Sequence, residues 1–517
     1  MAALELQLFA SGLPVEALME KAALALAAAL MRDWGERLSA AGAVVLVGPG
    51  HNGGDGLVIA RELHLAGLTV AVWSPFAHHK PLTATHLGHA RWLGIDVLAD
   101  PPDPAGPALW IDALFGIGQS RALTAPLASL LSERQRLRPA ALVAIDVPSG
   151  LDDTSGQALG PGSAMAASTY SIGLIKRGLV QDAALAAVGR LQRIELGLPQ
   201  QLLNELDATT PLGLAERDSA ATDALWPPAD PAAHKYARGR LLVMAGSEAY
   251  PGAAHLALLG ADASGLGSLR AALAAPLAAG LWQPLPHVVV QRRLDCDAAG
   301  ALLLGELSDD DLARVDAVLL GPGIGRLCGA GRGSDASTSA TQALEGATWE
   351  RLQAFSGLLV LDADGLNRTT SAWLRERRGP TWITPHPGEF ARLWPQWADH
   401  PPLEAAQQAA ADSGVAVLLK GARSVIASPE GQRWQLLAAA AASARAGLGD
   451  VLAGYAAAKG AMALASGRRC DAAWLAAAAA EHAAAGLRCS RTPGSSTAPA
   501  AVAMQLCQHL PTQTNRQ

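Results

Sequence analysis

The sequence predicts two α/β domains joined by a linker, the first of them a Rossmann-like three-layer sandwich. Three observations lead there. The chain has 517 residues, whereas single cores stop growing beyond ~250–300 residues. Short apolar runs of strand length alternate with helical stretches along both halves, the pattern of right-handed crossovers on a mostly parallel sheet. The alternation weakens between Pro199 and Ala233, where Asp207-Ala-Thr-Thr-Pro211 and Trp226-Pro-Pro-Ala-Asp-Pro231 read as a linker. The expected division is a domain over 1–210, a linker over 211–233 and a second domain over 234–510.

Taken in order, a helical pattern around Leu18-Met19-Glu20 precedes a strand from Ala43 to Val47, which runs into Gly48-Pro49-Gly50 and another helix. Further strands are expected at Thr69 to Trp73, Leu109 to Leu114 and Ala141 to Val147. In the second half, Leu241 to Ala245, Val288 to Gln291, Ala317 to Leu320, Leu358 to Leu361, Thr381 to Thr384 and Val415 to Leu419 all read as buried strands. Arg326 to Thr341, rich in Gly, Ser, Thr and Ala, reads as a surface insertion without chemistry.

Composition narrows the function. Half of the residues are hydrophobic and 17% are charged, as in a buried globular fold rather than a disordered chain. Forty basic against 46 acidic residues leave a formal charge of -6, with no Lys/Arg block to track a nucleic acid. The five cysteines form no CxxC pair and no cluster with histidine, which argues against zinc and disulfides. The first residues carry Glu5 and Glu16 without a basic leader, and no run reaches the ~18 apolar residues of a membrane span. A cytoplasmic protein that binds neither nucleic acid nor membrane is expected.

Chemistry concentrates at the predicted strand ends. The turn Gly48 to Gly56 holds His51, Asn52, Gly53, Gly54 and Asp55 where backbone N–H groups can approach a phosphate at a helix N-terminus. Glycines alone make any tight turn, but Asn52 and Asp55 inside this one point to a site. Asp112 stands before Ala-Leu-Phe-Gly-Ile-Gly118, and Asp146 before Val-Pro-Ser-Gly150. One such aspartate is usually a turn former, whereas three at separate strand ends converge on the ligand crevice of an open α/β sheet.

These segments resemble the NAD(P)H-hydrate epimerase family, whose pattern is GxGNNGGDG, DALFGxG and DxPSG in that order. The resemblance implies a potassium ion (K+) held by Asn52, Asp112 and Ser149. It also implies a hydrate site lined by His51 to Asp55, by Gly116, Ile117, Gly118, Gln119, Ser120, Arg121 and Ala122, and by Asp146. Epimerisation at C6 needs proton transfer and stabilisation of a ring-opened or iminium species, a task for a carboxylate; Asp146 is expected to perform it. His51 replaces the first asparagine of the family loop, and the lysine segment of the family reads Ser171-Ile-Gly-Leu-Ile-Lys176 here.

The second half carries His234-Lys235, Gly321-Pro-Gly-Ile-Gly325, Leu361-Asp-Ala-Asp364-Gly-Leu-Asn367, Thr384-Pro-His386-Pro-Gly-Glu389, Lys420-Gly-Ala-Arg-Ser424 and Gly447-Leu448-Gly449-Asp450-Val-Leu-Ala-Gly454. Glycines opening a helix can take up charge on a transferring phosphoryl group, and Asp450 can accept the proton of an attacking hydroxyl. The helix N-terminus is expected to keep Asp450 ionised, so that positioning rather than basicity drives catalysis. A lone histidine such as His386 is more often structural, and an acid in a first turn often only offsets the helix dipole.

Together the six segments resemble the ADP-dependent NAD(P)H-hydrate dehydratase family, which has a ribokinase-like α/β fold. The resemblance implies that Ala253, Gly323, His386 and Asp450 contact the hydrate, and that Lys420, Gly421, Ala422, Arg423, Ser424 and Gly449 contact the nucleotide. It implies Mg2+ at the phosphates, ADP as co-substrate, NADHX and NADPHX as substrates, and a homo-oligomer. Leu448, Ser424 and the Ala-rich run from Leu437 to Ala444 depart from the family pattern. Two other readings stay open: a ribokinase-type small-alcohol kinase, favoured less by the TPHPGE and LDADGLN segments, and a dinucleotide-binding scaffold, opposed by Asp55, Asp112 and Asp146.

Overall fold

The computed structural model describes residues 1–206, 211–214, 233–281, 283–305, 307–327, 336–437, 439, 444–492 and 496–507. Most of the linker stretch, the centre of the insertion expected at Arg326 to Thr341 and most of the run from Leu437 to Ala444 lie outside the described residues. The chain forms two compact units, Met1–Asp207 and Ala208–Gln517.

The first unit has three helices that matter for its site, α1 (Ala2–Ala10), α2 (Val15–Ala41) and α3 (His51–Leu65). Its strands are β1 (Ala43–Val47), β2 (Val70–Trp73), β3 (Asp96–Leu98), β4 (Leu109–Ala113), β5 (Leu142–Ile145), β6 (Ser168–Ile172) and β7 (Arg190–Ile194). They form one sheet in the order β3-β2-β1-β4-β5-β6-β7, parallel throughout. That is the doubly wound Rossmann order with a seventh strand appended. The strand period of two explains the three layers. Val45 and Val47 pack with Leu26, Leu30 and Leu57 of α2 and α3, while Leu46 packs with Trp110, Leu127 and Leu131 on the other face.

The first βα turn is tight because backbone meets backbone. A Cβ on Gly48 would lie 1.6 Å from the carbonyl oxygen of Leu114, and one on Gly56 would lie 2.5 Å from the Ala113 Cβ. Neither neighbour can move without shifting β4. Gly48→Ala is therefore expected to destabilise the first unit by about 3 kcal/mol, lowering its melting transition by roughly 6–12 °C. Calorimetry of the full chain checks this, because the transition of the second unit should stay where it is.

The second unit contains β8 (Leu212–Leu214), β9 (Arg240–Met244), β10 (Ser268–Ala274), β11 (Val289–Leu294), β12 (Ala317–Leu320), β13 (Leu358–Leu361), β14 (Thr381–Ile383), β15 (Ala416–Leu419), β16 (Val425–Ala427) and β17 (Arg433–Leu436). Their order is β11-β10-β9-β12-β13-β14-β15-β16-β17-β8, so the first seven repeat the winding of the first unit. An antiparallel turn at β15-β16-β17 ends the parallel part. Leu212–Leu214, inside the stretch assigned to the linker from sequence, pairs with β17 as the sheet edge. Leu241 and Val243 face one core and Leu242 and Met244 the other. Among the described residues no helix is long and apolar enough to cross a membrane.

Candidate active sites at the strand ends

In both units the winding changes direction between two neighbouring strands, β1 and β4 in one, β9 and β12 in the other. Loops leaving such a switch point diverge and open a crevice. In the first unit the crevice is a cavity of about 460 Å³. His51, Asn52 and Asp55 from α3, the loop Phe115 to Gln119 after β4 and Asp146 after β5 line it. Helices α1 and α2 complete the wall with Glu5, Phe9, Leu18 and Met19.

Asp146 is held in a strained backbone, with φ at +66°, a conformation that costs on the order of 1–3 kcal/mol outside glycine. Its carboxylate accepts from the ammonium of Lys176 and, at 3.1 Å, from the backbone N–H of Ile172. Lys176 also donates to the carbonyl of Ile172 at 2.8 Å, so the ion pair is fixed from both sides, and both of its side chains are almost fully buried. Asp55 is buried beside it; burial first, then repulsion from Asp146 and Glu5, push its pKa well above the usual carboxylate range. Burial likewise raises Glu5, with Asp146 adding to the shift and Lys176 opposing it.

Asp112 lies behind this cavity, fully buried. Its oxygens accept from Ser149 Oγ at 2.7 Å, Ser149 N at 2.9 Å and Leu114 N at 3.2 Å. Burial nevertheless pushes its pKa up to about 6 against those hydrogen bonds. Of the remaining expected residues, Gln119 braces the DxPSG turn, accepting from Gly150 N at 2.7 Å. Gly53 and Gly54 serve packing, against the Gly48 carbonyl and Met19. Ser120, Arg121 and Ala122 are exposed and lie outside the cavity wall.

The crevice of the second unit gathers residues from four strand ends. Lys420, after β15, donates to Asp362 Oδ1 at 2.6 Å, and Thr384, after β14, donates to the same oxygen at 2.8 Å. Gly449 lies close by, since a Cβ there would be 3.5 Å from Lys420 Nζ. A Cβ on Gly323 would meet the Ala253 methyl at 2.5 Å, which brings the β12 loop against the helix Pro251–Asp262. His386 caps the helix Pro387–Leu393: its Nδ1 accepts from Gly388 N at 2.9 Å, while Glu389 accepts from His386 N at 2.9 Å. Its imidazole is half exposed, with Nε2 3.3 Å from Glu389 Oε1, so one residue is both a cap and a polar edge turned outward. In the Lys420 to Ser424 segment, Gly421 and Ala422 are exposed, while Arg423 is buried and directed into the fold.

Asp450 stands in the first turn of the helix Leu448–Ala465, whose N-cap Gly447 has φ at +91°. The expectation that the helix dipole keeps it ionised is overturned. Burial, and then repulsion from Asp362, push its pKa up to about 7 in spite of Lys420. Raising a carboxyl from its usual value to about 7 is worth roughly 4 kcal/mol, whereas a helix terminus supplies only about 0.3–1 kcal/mol. Lys420 moves the other way: burial works against its charge, but Asp362, Glu389 and Asp450 outweigh it and raise its pKa.

Sequence reasoning assigns no role to Glu5, Lys176, Asp362 or Glu389, which the fold places in these two clusters. Lys176, Asp362 and Glu389 stand inside segments that carry the family resemblance, which gave them no role of their own, whereas Glu5 lies in an ordinary apolar stretch.

Two family models match the chain, one described as NAD(P)H-hydrate dehydratase over residues 241–506 and one as YjeF-related protein N-terminus over residues 15–178. The bifunctional NAD(P)H-hydrate repair enzyme Nnr of Gloeobacter violaceus is 44% identical over 465 residues, covering 87% of this chain and 85% of the relative. The chain belongs to the bifunctional NAD(P)H-hydrate repair enzyme family. The Synechocystis member of that family is 41% identical over 86% of this chain and 82% of its own length. The ADP/ATP-dependent NAD(P)H-hydrate dehydratase of Bacillus subtilis aligns in three dimensions with a TM-score of 0.43 and 26% identity, over 56% of this chain and 95% of that one. Membership of the repair-enzyme family through both halves runs against the kinase and scaffold alternatives.

Proposed function

We propose that this protein repairs hydrated NADH and NADPH, its first unit interconverting the two C6 epimers and its second dehydrating one of them with ADP. The observation that carries this reading is a buried carboxylate–lysine cluster at the strand ends of each unit, Asp146 with Lys176 and Asp362 with Lys420 beside Asp450. In the first site the Asp146–Lys176 pair gives and takes back the proton at the C6 hydroxyl. In the second, Asp450 removes the proton of the C6 hydroxyl as that oxygen attacks the β-phosphorus of ADP, and AMP leaves. Loss of the phosphate from C6 and of a proton from C5 then restores the C5=C6 double bond. Lys420 and the N–H groups around Gly449 meet the charge that develops on the phosphoryl oxygens. Ala253, Gly323 and His386 border the hydrate.

The residues present fit a potassium ion: Asp112 is buried with hydrogen-bond donors and, among the described residues, no cationic side chain for a partner. Asn52, Asp112 and Ser149 offer it hard oxygens, and a bound ion would supply charge balance and rigidity beneath the hydrate site. Among the described residues no three His, Cys, Asp or Glu side chains converge on a metal position. Mg2+ keeps its waters and is held chiefly by nucleotide phosphates, so Asp362 and Glu389, both buried, would act on it only through that water shell, and the ion would neutralise phosphate charge.

The test gives the full chain both NADHX epimers with Mg2+, K+ and either ADP or ATP, and follows the return of dihydronicotinamide absorbance. Complete recovery with ADP is the expected result, with K+ omission slowing only the phase fed by the second epimer. Recovery of one epimer's share alone would remove the epimerase half of the reading, and no recovery would remove both.

A further inference from the structure

Removing and returning a hydroxyl on opposite faces of one carbon calls for proton transfer at two positions, and the strand-end loops supply a single fixed ion pair, Asp146 with Lys176. The cavity holds one more acid from a separate element. Glu5 comes from α1, which precedes the matched YjeF-related segment at 15–178, and yet it lines the same 460 Å³ space as Asp55, Asp146 and Lys176. Helix α1 is no loose end. Leu8 packs with Leu18, Ala22 and Leu196, with Met1 and Phe9 alongside, so Glu5 is seated on the cavity while Leu6 on the far side stays exposed. The other ionisable groups on the wall are His51 and Lys80. No hydrogen bond or ion pair of Glu5's side chain to another residue explains its half-buried position as a structural one among those described.

We propose that Glu5 is a catalytic residue of the epimerase site, handling the proton on the face of the C6 carbon opposite the Asp146–Lys176 pair. This rests on the epimerase reading above. The C6–O bond breaks as Lys176 protonates the departing hydroxyl to water, and the N1 lone pair forms N1=C6, leaving a cationic ring. Water then adds to the opposite face of C6, the N1=C6 electrons return to nitrogen, and Glu5 takes one proton from the added water, leaving the new hydroxyl. A second water returns that proton to Lys176, so atoms and charge balance over the cycle. A carboxylate on this wall would also supply a counter-charge to the cationic ring, which gives α1 a role in the chemistry as well as in lining the cavity.

The experiment compares the full-length protein with Glu5→Gln and Glu5→Asp, measuring epimerisation by exchange between separated NADHX epimers in 18O-water and dehydration in the same samples. Glu5→Gln is expected to lower the epimerisation kcat by about 10²-fold with KM for the hydrate within about twofold. Glu5→Asp should recover part of that loss, label should enter the C6 hydroxyl with each turnover of the wild type, and dehydration should be unchanged in both variants. A Glu5→Gln protein that epimerises at the wild-type rate, or a wild type that epimerises without taking up label, overturns the proposal. A wild type that does not epimerise at all instead overturns the epimerase reading on which it rests.

Discussion

Asp450→Asn is expected to lower kcat for NADHX dehydration by about 10³-fold and to leave epimerisation untouched. The amide keeps the shape of the side chain but cannot accept the hydroxyl proton, and it sits in the other unit from Asp146. The wild-type pH profile makes a second, independent demand. With its pKa near 7, Asp450 is protonated and idle below that pH, so kcat/KM for dehydration should rise with pH and level off above about 7. That profile reports the free enzyme. Since Asp362 repels the Asp450 carboxylate, Asp362→Asn should move the rising limb to lower pH, also freeing Lys420 to favour the ionised Asp450. A pH-independent rate between 5 and 8 would count against Asp450 as the base, and a limb unmoved by Asp362→Asn would break the electrostatic link between the two acids.

The second large effect is expected at Lys176. Removing one member of a buried ion pair leaves the other charge unpaired, at a cost of about 3–5 kcal/mol. Lys176→Met should therefore destabilise the first unit by that order and reduce epimerisation by about 10³-fold or more, since both proton donor and anchor of Asp146 are lost. The double variant Lys176→Met/Asp146→Asn separates the two consequences. Without an uncompensated charge it should regain most of the stability in a denaturation measurement, yet remain inactive as an epimerase. A double variant no more stable than the single one would show that the pair's charges are not what the fold depends on here.

The strained aspartate strengthens this expectation. Asp146 keeps φ at +66° because its N–H is bonded to the Tyr170 carbonyl at 2.8 Å and its carboxylate to Lys176. In the second unit Ala363, directly after Asp362, also has a positive φ of 47°. In the first unit the strained residue is the lysine-paired carboxylate itself, and in the second it directly follows one.

Much of this protein was legible in its sequence, and the parts that were not share a physical cause. Apolar runs such as Val44-Val45-Leu46 and Leu358-Leu359-Val360, each closed by glycine or aspartate, mark buried parallel strands by local sterics and periodicity alone, and the structure sets strands within one or two residues of those positions. The same local chemistry marks the strand-end turns, so the two-unit α/β class and the family resemblance come from residues adjacent in the chain. Strand β6, Ser168–Ile172, is polar in three of five positions yet largely buried, and β10, Ser268–Ala274, has the alanine content of a helix; only neighbouring strands make them strands. Lys176 reaches Asp146 across 30 residues and Lys420 reaches Asp362 across 58. The basicity of Asp450 arises from burial and from Asp362, and the presence of Glu5 at the cavity from the packing of α1. Sequence alone determined which groups stand at the strand ends, because sterics and hydrogen bonding act over a few residues. The tertiary structure decided how those groups are charged and paired, because burial and Coulomb forces depend on what lies nearby in space.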